Sequence, residues 1–192
     1  MLMTHRKKNI GFSLIEVLVT IVILLIGLLG LAGLQGRALT SELESFQRSQ
    51  ALILLKDMEN RINANRKNAA NYVTTPIPVC NSGYANCTCP AGDPTVIADK
   101  DKEEWCNALK GAAEGVSTGA MIGARGCVYQ IASPASGVPS IYLAVVAWQG
   151  LNTTKAPDVS TATSAGQCGV GQYGNESLHR VVTLPISIAD LN

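Results

Sequence analysis

The chain has 192 residues, 47% of them hydrophobic, and a formal net charge of +1. That balance lacks the basic excess a nucleic-acid-binding domain needs against phosphate. The length suits one domain of about 125–155 residues behind an apolar N-terminal segment, and six cysteines with only two histidines point away from a histidine-rich metal site.

His5, Arg6, Lys7 and Lys8 form a short basic run that holds the amino end in the cytoplasm by the positive-inside rule. From Asn9 to Gly36 the only charged side chain is Glu16, and the eighteen residues Val17 to Leu34 carry one hydroxyl, Thr20. That is long enough for a membrane-spanning helix. A carboxylate entering hydrocarbon costs about 2.5–3.5 kcal/mol on insertion scales, so Glu16 needs a partner. A cut after Gly11 would supply one, because the new α-amine on Phe12 lies one helical turn from Glu16. A secretory signal peptide fits poorly, since the run is long and continues into a polar helix without a small-residue cleavage site. A plain anchor explains the length but leaves Glu16 without a purpose.

Beyond the apolar run the helical pattern continues. Leu39, Leu43, Phe46, Ile53, Leu54, Met58 and Ile62 recur at three- and four-residue steps, with Arg37, Glu42, Glu44, Arg48, Lys56, Asp57, Glu59 and Arg61 between them. This is an amphipathic helix whose apolar stripe is expected to pack on the soluble domain. The pattern weakens at Asn65, Asn68 and Asn71, so one helix is expected from Phe12 to about Asn65, roughly 80 Å long. Gly27, Gly30, Gly33 and Gly36 soften its middle, each by up to about 1 kcal/mol against Ala. They also allow close approach of a neighbouring helix.

From Tyr72 to Pro94 the composition turns to Pro, Gly, Asn, Thr and Cys, an irregular loop holding Cys80, Cys87 and Cys89. Asp99 to Gly111 reads as a short helix with acidic early turns, Trp105 and Leu109 one turn apart, and a glycine stop. A Gly-rich connection with a short strand around residues 120–122 leads to three strands, Cys127–Ile131, Ser140–Gln149 and Leu178–Ile188. The middle one is apolar on both faces and reads as central, and Pro185 assigns the last to an edge or a bulge. Together they predict an antiparallel meander against the long helix, an α+β fold. Leu151 to Asn175 is a long polar insertion, expected to be functional or mobile.

The disulfide candidates are Cys80, Cys87, Cys89, Cys106, Cys127 and Cys168. Six cysteines allow fifteen pairings. Cys127 to Cys168 would close the insertion and leave the other four to staple the loop to the short helix. Cys87-Thr-Cys89 has the wrong spacing for a zinc knuckle, so no metal and no cofactor is expected. No catalytic dyad or triad is present: His5 lies in the basic leader, and His179 reads as a lone surface or packing residue. Asn86, Asn152 and Asn175 match the N-glycosylation tripeptide and mark only exposed loops.

Lys7-Lys-Asn-Ile-Gly11 followed by Phe12-Ser-Leu-Ile-Glu16 resembles the class III signal sequence of type IV pilins and type II secretion pseudopilins. The resemblance implies that a membrane prepilin peptidase cuts between Gly11 and Phe12 and methylates the new amine, and that Glu16 serves assembly. It implies a pilin-like fold with a cleaved leader (1–11), an anchor and assembly helix (12–36), an amphipathic helix (37–66) and a globular head (67–192). Gly27 to Gln35, the Asp101/Trp105/Leu109 helix, Val146-Ala-Trp-Gln-Gly150 and His179-Arg-Val-Val resemble PilV-type minor pilins. Major pilins often carry a proline in the anchor helix; this chain has none before Pro76. The expected function is a non-enzymatic minor pilin at or near a pilus tip, assembled with other minor pilins, the major pilin and a tip adhesin. The alternatives are a minor pseudopilin of type II secretion and a pilin whose insertion grips DNA or a host surface. Loss of Arg6, Lys7 and Lys8 with the leader takes the formal side-chain charge from +1 to −2, and Leu151–Asn175 holds Lys155 against Asp158, so nucleic acid is a poor partner.

Overall fold

A computed structural model describes residues 11–74, 96–110, 121–133, 139–161, 163 and 165–189. The chain divides into two compact units, Met1–Glu42 and Leu43–Asn192. Helix α1, Leu14–Ala64, is unbroken over 51 residues and belongs to both. It runs through all four glycines, and a Cβ added at any of them would meet nothing within 4 Å. Their small size therefore serves no packing inside the described chain. The helix ends where the asparagine-rich stretch begins, passing into a 3-10 turn, Arg66–Tyr72.

In the second unit three antiparallel strands form a sheet in the order β1 (Ile122–Ala132), β2 (Ser140–Gln149), β3 (His179–Ile188). The expected meander is present, with β2 central. Pro185 sits opposite Leu143 in an unbroken register on the edge strand β3, where a missing N–H costs no ladder bond. Strand β1 is longer than its apolar run suggested. Gly123, at φ 61°, absorbs a register shift between Ile122 and Arg125, so the short strand expected upstream joins β1 through a bulge.

The inner face of the sheet (Val128, Ala144, Val146, Trp148 and Ile186) packs with Ala51, Leu55, Met58 and Ile62 of α1. Each large aliphatic so buried contributes about 1.5–3 kcal/mol. Here the expected stripe needs correction. Met58 and Ile62 are buried and Leu54 is half-buried, but Leu43, Phe46 and Ile53 are 54%, 52% and 62% exposed. Leu39, in the first unit, is exposed as well. The head covers the Gln47–Ala51–Leu55–Met58–Ile62 face instead, and it admits Gln47 because the Trp148 indole donates to its Oε1 at 3.2 Å. Apolar residues occupy a wider arc of the helix than the head can cover.

Helix α2, Ile97–Leu109, begins two residues earlier than its acidic turn suggested and lies against α1 and β1. The Trp105 indole donates to the Leu54 carbonyl at 2.9 Å. Its ring fills the space above Gly126, where a Cβ would stand 2.2 Å from a ring carbon. Arg61 clamps the same corner: Nε meets Asp57 at 2.9 Å, and Nη1 meets Asp101 at 2.9 Å and Glu104 at 2.7 Å. Burial opposes the guanidinium charge, but those carboxylates outweigh it and raise the Arg61 pKa. The Tyr72 hydroxyl donates to Asp101, and burial, reinforced by that bond, pushes its pKa up to about 12.

Candidate functional site

Two regions carry the residues singled out from sequence: the start of α1, and the insertion with its disulfide. They are described separately.

Gly11, Phe12 and Ser13 precede the helix and are exposed, with Phe12 82% accessible. Helix α1 starts at Leu14, where the Ser13 carbonyl accepts from the amides of Glu16 (3.0 Å) and Val17 (3.3 Å). The Gly11–Phe12 peptide thus stands in exposed, non-helical chain ahead of the first turn. Glu16 lies in that first turn, where the helix dipole favours a carboxylate. The Ser13-Leu-Ile-Glu16 spacing is also that of a capping box, a helix-start signal that the reading of Glu16 alone had passed over. It offers the carboxylate a local role even before any cut.

Beyond Glu16, Thr20 satisfies its hydroxyl on the Val17 carbonyl at 2.8 Å. The most apolar eighteen-residue window of α1 has a mean hydropathy of 2.9 and is 0% buried, long and apolar enough to cross a membrane. Nothing in the described chain covers Leu18, Val22, Leu25 or Leu29. Among the described residues this window is therefore uncovered.

In the head, Cys127 and Cys168 form a disulfide with Cα atoms 5.8 Å apart, the pair expected to close the insertion. Cys106 is also disulfide-bonded. Cys80, Cys87 and Cys89 lie outside the described residues, and no cysteine among the described residues is free. Described residues contain no group of three or more His, Cys, Asp or Glu side chains able to hold a metal.

The insertion is less loop-like than its composition suggested. Its second half packs on the outer face of the sheet: Cys168 and Tyr173, with Ala165, cover Cys127, Tyr129, Val145 and Ala147. This explains why β2 is apolar on both faces. Positive φ at Gly169, Gly171 and Gly174 lets the chain fold tightly there. The first half, residues 151–161, is exposed apart from half-buried Pro157, but its root is fixed. Glu44 of α1 accepts from the amides of Leu151 (3.2 Å) and Asn152 (3.0 Å) and pairs with Arg180 at 3.4 Å. Arg180 in turn donates to the Asn152 carbonyl. Sequence reasoning missed Glu44 because its partners lie more than a hundred residues away. His179, expected at the surface or in packing, is buried at 1% exposure between Glu176 and Cys168.

Comparison with known families agrees with this layout. Residues 6–32 match the prokaryotic N-terminal methylation motif. Residues 33–102 match the model of the type IV pilin Tt1218. The two matches abut and together span residues 6–102. No curated protein and no solved structure matches the chain.

Proposed function

We propose that this chain is a minor type IV pilin, processed between Gly11 and Phe12 and then used to initiate a pilus at or near its tip. The supporting observation is the start of α1: an exposed, charge-free helix apart from Glu16, one turn beyond a non-helical Gly11–Phe12 bond. Before assembly the segment rests in the inner membrane, amino end inward and head outward. After assembly it lies among the same segments of the major pilin and other minor pilins.

Cleavage creates a cation on Phe12. In a dry filament core the Glu16 carboxylate remains costly unless it meets that cation, on its own chain or on a neighbour. Pairing with a neighbour also sets the axial register, because a wrong stagger leaves two charges unmatched. The uncovered head residues Leu43, Phe46 and Ile53 extend the surface a neighbour can bury. A pilin family match over residues 33–102 favours a pilus over a secretion pseudopilus, and the PilV-like segments favour the minor class.

The test has two parts. Mass spectrometry of the N-terminal peptide should find methylated Phe12, and an intact Met1 start beside an active prepilin peptidase would sink the reading. Glu16→Leu should insert and be cleaved, yet fail to co-purify with other minor pilins and lower the number of surface pili. Normal piliation with Glu16→Leu would remove the pairing mechanism. Co-purification with secretion components alone would move the chain to the pseudopilins.

A further inference from the structure

His179 opens β3 with its side chain fully covered, and both ring nitrogens face oxygen. Nδ1 lies 2.9 Å from Glu176 Oε2, and Nε2 lies 2.9 Å from the Cys168 carbonyl oxygen. An ionised carboxylate and a peptide carbonyl can only accept. A neutral imidazole has one N–H, so it satisfies one of these oxygens and turns a lone pair toward the other. We propose that His179 is a proton-operated latch: with both ring protons it pins residues 165–176 over the outer face of the sheet, and with one it holds them by a single bond.

The latch sits where the cover is made. Cys168, whose carbonyl it grips, is also the cysteine tied to Cys127 of β1. Glu176, on its other side, uses Oε1 to accept the Gly171 amide at 2.6 Å, so one carboxylate joins the ring to the tip of the cover. The Tyr173 ring is centred 4.9 Å from the imidazole, and its hydroxyl donates to the Gly123 carbonyl of β1 at 3.2 Å. Losing one ring proton breaks the chain of contacts from β3 to Cys168 or to Glu176 while the disulfide keeps the cover tethered. The cover loosens and does not leave.

The charged and titratable groups around the ring define the sign. Glu176 is the carboxylate in contact. Arg125 of β1 is turned to Gln172, and Arg180, next in β3, is turned to Ser177, Asn152 and Glu44. The Tyr173 ring lies tilted at 47° to the imidazole, and Gln149 of β2 is the register partner. With Glu176 as the contacting charge, the closed cover goes with the protonated ring. Closure goes with the doubly protonated ring and weakens when one ring proton is lost.

The mature chain makes this measurable, since a cut at Gly11 removes His5 and leaves His179 as its one histidine. The experiment uses the full processed chain in detergent micelles, with the histidine ring labelled with ¹⁵N. Ring spectra and amide exchange at Cys168–Tyr173, corrected for intrinsic rates, are followed from about pH 6 to about pH 9. The expected result is two ring N–H signals at the acid end, and cover exchange that rises about tenfold toward the alkaline end, as loss of one charge-assisted bond implies. His179→Gln should flatten that dependence. If it fails to fold, Glu176→Gln keeps the ring and removes the contacting charge, and the second ring N–H should then be lost at lower pH. One ring N–H throughout, or cover exchange that ignores pH in the unaltered chain, overturns the latch. A mobile second signal from His5 would report an uncut leader and count against the processing reading alone, with the His179 signal still scored.

Discussion

The first unit of the chain and the head use apolar residues in opposite ways. In the first unit every large apolar side chain from Leu14 to Leu34 is exposed, and the most apolar window buries none of itself. In the head the same residue types converge: Leu55, Met58, Ile62, Trp105, Val128 and Val146 are essentially inaccessible. The head packs on itself, whereas the apolar window of α1 finds no cover among the described residues. A substitution in the anchor should therefore change partners without changing the stability of the head, and a substitution in the head core should do the reverse.

The largest break of that contrast is Gly11→Ala. It should leave the leader attached and remove the chain from surface pili almost completely, with the unfolding midpoint of the head unchanged. Immunoblotting of membrane and sheared-pilus fractions beside thermal melts decides it. On the other side, Trp105→Ala should destabilise the head by about 3–5 kcal/mol, because it empties the slot above Gly126 and loses the bond to Leu54. Replacing both Cys127 and Cys168 by Ser should cost about 3–4 kcal/mol, the chain-entropy value for a loop of this size. Both are read by chemical denaturation, and both should leave the Gly11–Phe12 cut intact.

A smaller effect comes from pH at the corner where α1, the 3-10 turn and α2 meet. Tyr72 holds its proton up to about pH 12 in the folded head, against an ordinary value of 10.0. Its folded value is raised, so its contribution is complete below pH 10 and is lost as pH climbs toward 12. In that window the unfolded chain releases a proton that the folded chain keeps. Alkaline melts should lose about 1–2 kcal/mol there, and Tyr72→Phe should remove that loss while giving up the bond to Asp101.

Much of this contrast was legible in the residues, for reasons that can be named. Helix α1 shows itself by length and period, and its end by asparagines. Strand β2 shows itself by an apolar run with no polar face, and β3's edge position by Pro185. Periodicity could not tell which side of α1 the head would take. It records where apolar residues lie, whereas the covered face is decided by distant partners, such as the Trp148 indole that accommodates Gln47. The packing of the insertion was hidden for a similar reason. Its composition is polar and glycine-rich, but Cys168 and Tyr173 bury themselves against strands remote in sequence. At the start of α1 the Gly11/Phe12/Glu16 spacing is local, so the sequence alone points to the segment proposed for processing, and the structure adds that Gly11 to Ser13 precede the helix.

The sharpest test of the comparison is the smallest in stability, because it concerns residues that belong to the head yet behave like the anchor. Leu43, Phe46 and Ile53 lie on head-unit helix but stay about half or more exposed, and each is large and apolar. If they served the head core, Phe46→Ser would cost several kcal/mol, as truncation of a buried aromatic does. Their exposure sets a different expectation, a change within about 0.5 kcal/mol, as for surface substitutions generally. If they serve assembly, the same variant should still be cleaved and folded but should co-purify less well with its pilin partners. Ile53→Ser should behave alike, whereas Lys56→Ser, exposed on the same helix and paired with Glu59, should alter neither property. Denaturation of the purified chain and pull-down of partners from matched membrane levels separate the outcomes. A large stability loss with Phe46→Ser would mean that the head uses this face after all. Unchanged co-purification of both the Phe46 and the Ile53 variants would confine the assembly surface to the anchor.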